Sequence, residues 1–157
     1  MAKSDLPLIP PVLKNAGRVR PEMGLRPGEW KTFAAGANRI AQAVHAETGL
    51  RTVFHHHCAG YVVTPDEIAK FLDLTDPKTI GLVFDTGHYV FGSGQCDALQ
   101  GLERFQERIW YVHLKDCDPA VADQSRSEEW NYFRSLAHGV FGVGAERPAG
   151  NRRQAPI

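Results

Sequence analysis

Residues 80–88, Ile-Gly-Leu-Val-Phe-Asp-Thr-Gly-His, decide the fold class. Ile80 to Phe84 is an unbroken apolar run of strand length, with no polar residue on alternate positions. A strand of that kind is covered on both faces, which is the habit of parallel sheets enclosed by helices rather than of half-wetted antiparallel ones. The run stops at Asp85, and Thr86-Gly87-His88 reads as the turn that follows.

Two similar units flank it. Thr52 to His57 (TVFHHH) is a short β-rich run, and Thr64-Pro65-Asp66-Glu67 opens a helix as a capping box with proline at its first position. Ile109 to Lys115 (IWYVHLK) is a third strand, broken by Asp116-Cys117-Asp118-Pro119. Between the last two strands, Asp97 caps a helix whose inner side is Leu99, Leu102 and Phe105. A further helix is expected from Ser127 to about Ala137, with Trp130 and Phe133 inward. Ahead of all three units, Trp30, Phe33, Ala34, Ala37, Ile40, Ala41 and Val44 recur at spacings of three and four, so Gly28 to Glu47 is an amphipathic helix stopped by Gly49. The expected architecture is α/β: a leading helix and about three parallel strand-helix units.

The ends of the chain differ from its middle. Residues 1–27 hold five of the ten prolines and are expected to be a connector with one short extended piece. Residues 142–157 are rich in glycine, proline and arginine without an apolar period and are expected to be a disordered tail. That leaves 28–141 as the folded domain.

Bulk composition narrows the function. The 157 residues carry 18 Lys plus Arg against 18 Asp plus Glu, so no basic excess points to nucleic acid or to an acidic membrane, and a small neutral or anionic ligand is the expected partner. No apolar run approaches the ~20 residues that span a bilayer. Cys58, Cys96 and Cys117 form no CxxC pair, which fits a reducing compartment, and a cytoplasmic location is expected.

In parallel α/β sheets, ligands gather where the strands end and the loops converge. The first strand ends in His55 and His57, on one face by period two, with His56 on the other. The second ends in Asp85 with His88 near by, and the third in His113, Lys115 and Asp116. Each set has a structural reading of its own: a hydrogen-bonded strand end, a capped turn, a surface ion pair. Their recurrence at equivalent places in successive units favours a site. An aspartate oxygen with imidazole nitrogens suits Mn²⁺, Co²⁺, Mg²⁺ or Zn²⁺, and a cation there would polarise a carbonyl so that the neighbouring C–H can lose its proton.

The segments HHHCAGYVVTPDEI, LTDPKTIGLVFDTGHYVFG, ERIWYVHLKDCDPAV and EEWNYFRSLAHGVF together resemble the xylose-isomerase-like TIM-barrel superfamily, and within it the inosose dehydratase group of sugar phosphate isomerases/epimerases. The resemblance implies a (β/α)₈ barrel, here a partial one of roughly the fifth to seventh units, and metal-assisted chemistry on a sugar- or inositol-derived substrate. It also implies a divalent ion, Mn²⁺ or Co²⁺ first, held by two glutamates, an aspartate and a histidine. Asp85 matches the aspartate and His113 the histidine. His55, His57 and His88 match substrate-facing histidines, and Lys115 with His88 would take the catalytic part. Val63 stands where a glutamate or polar substitute is expected, and the tail carries no strand for the last glutamate. The alternative is therefore a non-catalytic fragment of such an enzyme, self-associating through open sheet edges.

Overall fold

The computed structural model describes residues 11–92 and 96–142. The first ten residues, and all of the expected tail but Gly142, lie outside them. Three parallel strands, β1 (Thr52–His55), β2 (Ile80–Asp85) and β3 (Ile109–His113), form one sheet in the order β1-β2-β3. The helices are α1 (Pro11–Lys14), α2 (Pro27–Thr48), α3 (Pro65–Asp73), α4 (Thr86–Gly92), α5 (Ala98–Phe105), α6 (Pro119–Ser127) and α7 (Tyr132–Ala137). The α/β architecture with a parallel sheet stands as expected.

β2 is buried at all six positions, as its apolar run requires. One of its faces lies in the larger core. Ile80, Leu82 and Phe84 join Trp30 and Ala41 of α2, Ile68, Phe71 and Leu72 of α3, and Phe105 of α5 in the larger core. Full burial of each such side chain is worth about 1.5–3 kcal/mol. A second core gathers Ala16, Cys58, Ala59, Phe91, Ala122 and Val140 around the strands' carboxyl ends. Residues 11–27 form α1 and a 3-10 turn at Pro21–Met23 in place of the expected extended piece. Their first part is packed into this second core, with Ala16 buried and Arg18 donating to the carbonyls of Ser125 and Trp130, while Leu25 packs against the larger one.

Local signals set the helix starts. Thr64 accepts from the Glu67 N–H while Glu67 returns to the Val63 and Thr64 N–H groups, which fixes the entry to α3. Three departures have local causes. The expected turn at Thr86–His88 is instead the first turn of α4, because the Asp85 carboxylate accepts the His88 N–H and caps it. Asp118 caps α6 ahead of Pro119, a helix absent from the sequence reading. The single helix expected over 127–137 is broken at Glu129, whose φ is 53°, and restarts at Asn131, which caps α7. The break turns the helix phase, so Trp130 stays buried while Phe133, expected inward, is 57% exposed.

β3 carries a one-residue irregularity. Leu82 is level with Ile109 but Val83 with Tyr111, so Trp110 is an extra residue, and its indole occupies the space where a Cβ on Gly81 would be. Without it Asp85 would lie level with Val112. With it, Asp85 lies level with His113.

Candidate metal and polyol site

Asp85 is the centre. Its carboxylate is fully buried, and its two oxygens have separate duties. Oδ1 caps α4 through the His88 N–H at 3.0 Å. Oδ2 faces the sheet's end, where Lys115 Nζ lies at 2.6 Å, His113 Nδ1 at 3.3 Å, His55 Nε2 at 3.4 Å and His88 Nε2 at 3.9 Å. Period two accounts for the gathering: His55, Asp85 and His113 share one face, and Lys115 follows His113 by two. Burial by itself would raise the Asp85 carboxyl. Hydrogen bonds from His55, the His88 N–H and Lys115 outweigh it and hold the group well below the usual carboxylate range.

The remaining expected residues are near but differently placed. His55, His113 and Lys115 are each partly open, with 33, 42 and 36% of the side chain exposed. His57 stacks at 4.0 Å between ring centroids on His88 and meets Tyr132 edge-on at 5.0 Å. His88, expected against substrate, is covered by its neighbours in the structure. It is 3% exposed, with Nδ1 3.1 Å from the Cys58 Sγ, Nε2 3.4 Å from Lys115 Nζ and Phe141 against its ring. Burial, with His57 close by, pushes its imidazole down to about 3, so it is a neutral ring within hydrogen-bond reach of Lys115 Nζ. Val63 is also buried, beside Gly92 and Cys58.

Three residues to which the sequence reading gave no part in the site complete the arrangement. Thr86 holds the Lys115 backbone from both sides: its hydroxyl accepts the Lys115 N–H at 2.9 Å and donates to the Lys115 carbonyl at 2.7 Å. Gly87 leaves room for it, since a Cβ there would lie 2.8 Å from Lys115 Cβ and 3.0 Å from Phe141. His56, on the opposite face, accepts the Asp85 N–H through Nε2 at 3.1 Å. Burial drives its imidazole down to about 4 and keeps it a neutral acceptor. Thr86 and Gly87 lie inside a motif already singled out, but nothing local reveals that they meet Lys115, 29 and 28 positions away.

One carboxylate and two imidazoles, with ligand atoms within 4.8 Å of one another, form a donor set that fits a divalent ion. Lys115 Nζ rests on Oδ2 at 2.6 Å, so a cationic side chain already occupies that oxygen.

A model of the xylose isomerase-like TIM barrel family matches residues 8–145. Among curated proteins, an inosose dehydratase of Clostridium perfringens is 38% identical over 115 residues, which make up 73% of this chain and 38% of that protein. Inosose dehydratases of Geobacillus thermodenitrificans and Bacillus anthracis match over the same shares at 40 and 39% identity. The chain spans 38% of the length of these relatives.

Proposed function

The chain belongs to the xylose isomerase-like TIM-barrel family, and from that premise we propose that it carries part of a metal-assisted site for proton abstraction next to a carbonyl of a sugar- or inositol-derived substrate. The similarity to inosose dehydratases favours a keto-inositol and loss of water. Isomerisation and epimerisation of a keto-sugar begin with the same step. The convergence of His55, Asp85, His113 and Lys115 on one mouth of a parallel sheet carries this reading.

Asp85 and His113, joined by His55, would hold a divalent ion of the Mn²⁺ or Co²⁺ kind, with Mg²⁺ or Zn²⁺ as substitutes. When bound, the ion supplies a positive charge that polarises a substrate carbonyl. The protein's own groups do the rest. His55 and His57 present imidazole nitrogens to hydroxyl oxygens. Lys115, partly open, places its ammonium where negative charge grows on the oxygen of an enediolate. His88 accepts from Lys115 Nζ and keeps it aimed, and Thr86 fixes the backbone from which Lys115 extends.

Calorimetry with Mn²⁺, and NMR of hydrogen–deuterium exchange at the carbon beside the ketone of an inosose, test this together. Binding that Asp85→Ala and His113→Ala abolish, with Mn²⁺-dependent exchange, is the expected result. Mn²⁺ affinity unchanged from the unaltered chain in both variants overturns it. A second reading, ligand binding without turnover, is favoured by one observation: no glutamate joins the His55–Asp85–His113 group among the described residues. Its signature is Mn²⁺ binding with no exchange.

A further inference from the structure

Beside the Asp85 cluster lies a second one that the proposed chemistry does not use as a metal site. We propose that His57, Cys58 and His88 form a separate site for a thiophilic divalent ion of the zinc class. The ligand atoms of the three lie within 4.8 Å of one another. They come from two elements, the loop after β1 and helix α4. Neither can move far: Gly92 of α4 approaches so closely that a Cβ on it would stand 3.0 Å from the Cys58 Cα and 2.7 Å from Val63. His88 Nδ1 already faces the Cys58 sulfur at 3.1 Å. Zinc–sulfur and zinc–nitrogen bonds of about 2.3 and 2.0–2.1 Å at tetrahedral angles set S···N near 3.5 Å, so only a small opening is needed.

Donor chemistry separates the two clusters. The Asp85 group offers an oxygen and two nitrogens, which suit harder ions, whereas a sulfur with two imidazoles selects softer ones. Three protein ligands leave the fourth position for water, as open zinc sites do. With Nδ1 on the ion the ring proton sits on Nε2, so the bond that Nε2 otherwise accepts from Lys115 Nζ is given up and the N–H turns to Asp85 Oδ2, 3.9 Å away, a carboxylate placed to fix the ring. Binding breaks the Cys58 S–H bond. The proton leaves to solvent, the sulfur electron pair bonds the ion, and no electron is transferred. The Ala59 N–H, now on His57 Nδ1 at 3.2 Å, gives way if that nitrogen ligates, so the affinity is expected to be modest.

Titration of the full chain with Co²⁺ alone, followed by absorbance, reads the sulfur directly. A thiolate-to-cobalt charge-transfer band saturating at one equivalent is expected. It should persist in Cys96→Ser, Cys117→Ser and His113→Ala, and vanish in Cys58→Ser. Absence of the band in the unaltered protein, or its survival in Cys58→Ser, overturns the proposal. Because Cys58 is fully buried, a variant that fails to fold is covered by X-ray absorption on the zinc-loaded unaltered chain. One sulfur at about 2.3 Å supports the site, and a shell of nitrogen and oxygen only refutes it. Loss of Mn²⁺ binding at the Asp85 cluster would leave the cobalt band intact, so the two readings fail separately.

Discussion

A fully buried carboxylate within reach of four nitrogen-bearing side chains is kept charged by its partners, and each partner has a measurable share. Lys115→Met removes the shortest contact to Asp85 Oδ2 while keeping the stem length. The Asp85 carboxyl should then titrate higher, because burial, which favours the neutral acid, loses one of the bonds opposing it. Carbon-13 NMR of the labelled carboxyl follows this, and an unshifted titration would show that Lys115 does not hold the charge. Thr86→Val tests the scaffold behind Lys115. The substitution keeps the shape but takes away both bonds to the Lys115 backbone, at an expected cost of about 1–3 kcal/mol in urea unfolding. A smaller loss would mean that water replaces the hydroxyl freely.

At the scale of elements, β3 decides whether a site exists at all. The extra residue at Trp110 is accommodated because Gly81 has no side chain, and that extra residue sets His113 level with Asp85. Gly81→Ala forces a methyl into the indole. Overpacking of this kind costs typically 1–3 kcal/mol, and here it also pushes on the strand that carries His113. Pairing it with Trp110→Leu should recover part of the loss, a coupling that a double-mutant cycle by thermal unfolding detects. Additive losses would show that the two residues do not share the space. α4 gives the complementary case. It begins at the residue after β2 because Asp85 serves as its cap, so one side chain both starts a helix and faces the ligand mouth.

The whole molecule answers to pH through its covered histidines. His56 and His88 are neutral in the folded chain, at about 4 and 3, against an ordinary 6.5. An unfolded chain gains protons at both as pH falls below 6.5 while the folded chain does not, so stability drops from pH 6.5 toward 4. At about 1.4 kcal/mol per unit, each contributes on the order of 3 kcal/mol to that loss. Asp85 acts later, since its depressed carboxyl withdraws stability only below the ordinary 3.8. Urea midpoints measured from pH 7.5 to 4 should stay nearly level to about 6.5 and then fall, and a flat profile throughout would mean that these rings are hydrated. Association belongs to the same scale. Among the described residues β3 has one ladder partner, and Leu114, 83% exposed, stands with Tyr111 and Val112 along it. Such an edge pairs readily with another chain. Sedimentation velocity should show concentration-dependent association that Tyr111→Lys and Leu114→Lys weaken, and unchanged behaviour in both would exclude this face.

What the sequence determined by itself was local or periodic. The covered strand at 80–84, the amphipathic helix ahead of it, the Thr64 and Asp97 caps and the polar strand ends at His55, Asp85 and His113 follow from residue spacing, which acts within a few positions. Those signals sufficed for a parallel α/β sheet with a candidate site at one edge. Tertiary structure decided the rest. No local pattern says that Trp110 is the extra residue of β3, and a slip of one place would have set Val112 beside Asp85 and turned His113 away. The phase of the last two helices, which buries Trp130 and exposes Phe133, was likewise settled at a break with a left-handed residue. The Thr86 grip on Lys115 and the approach of His88 to Cys58 join residues 29 and 30 positions apart. Register and long-range contact depend on which strands pair and what space remains between them, and that is a property of the packed chain rather than of any segment of it.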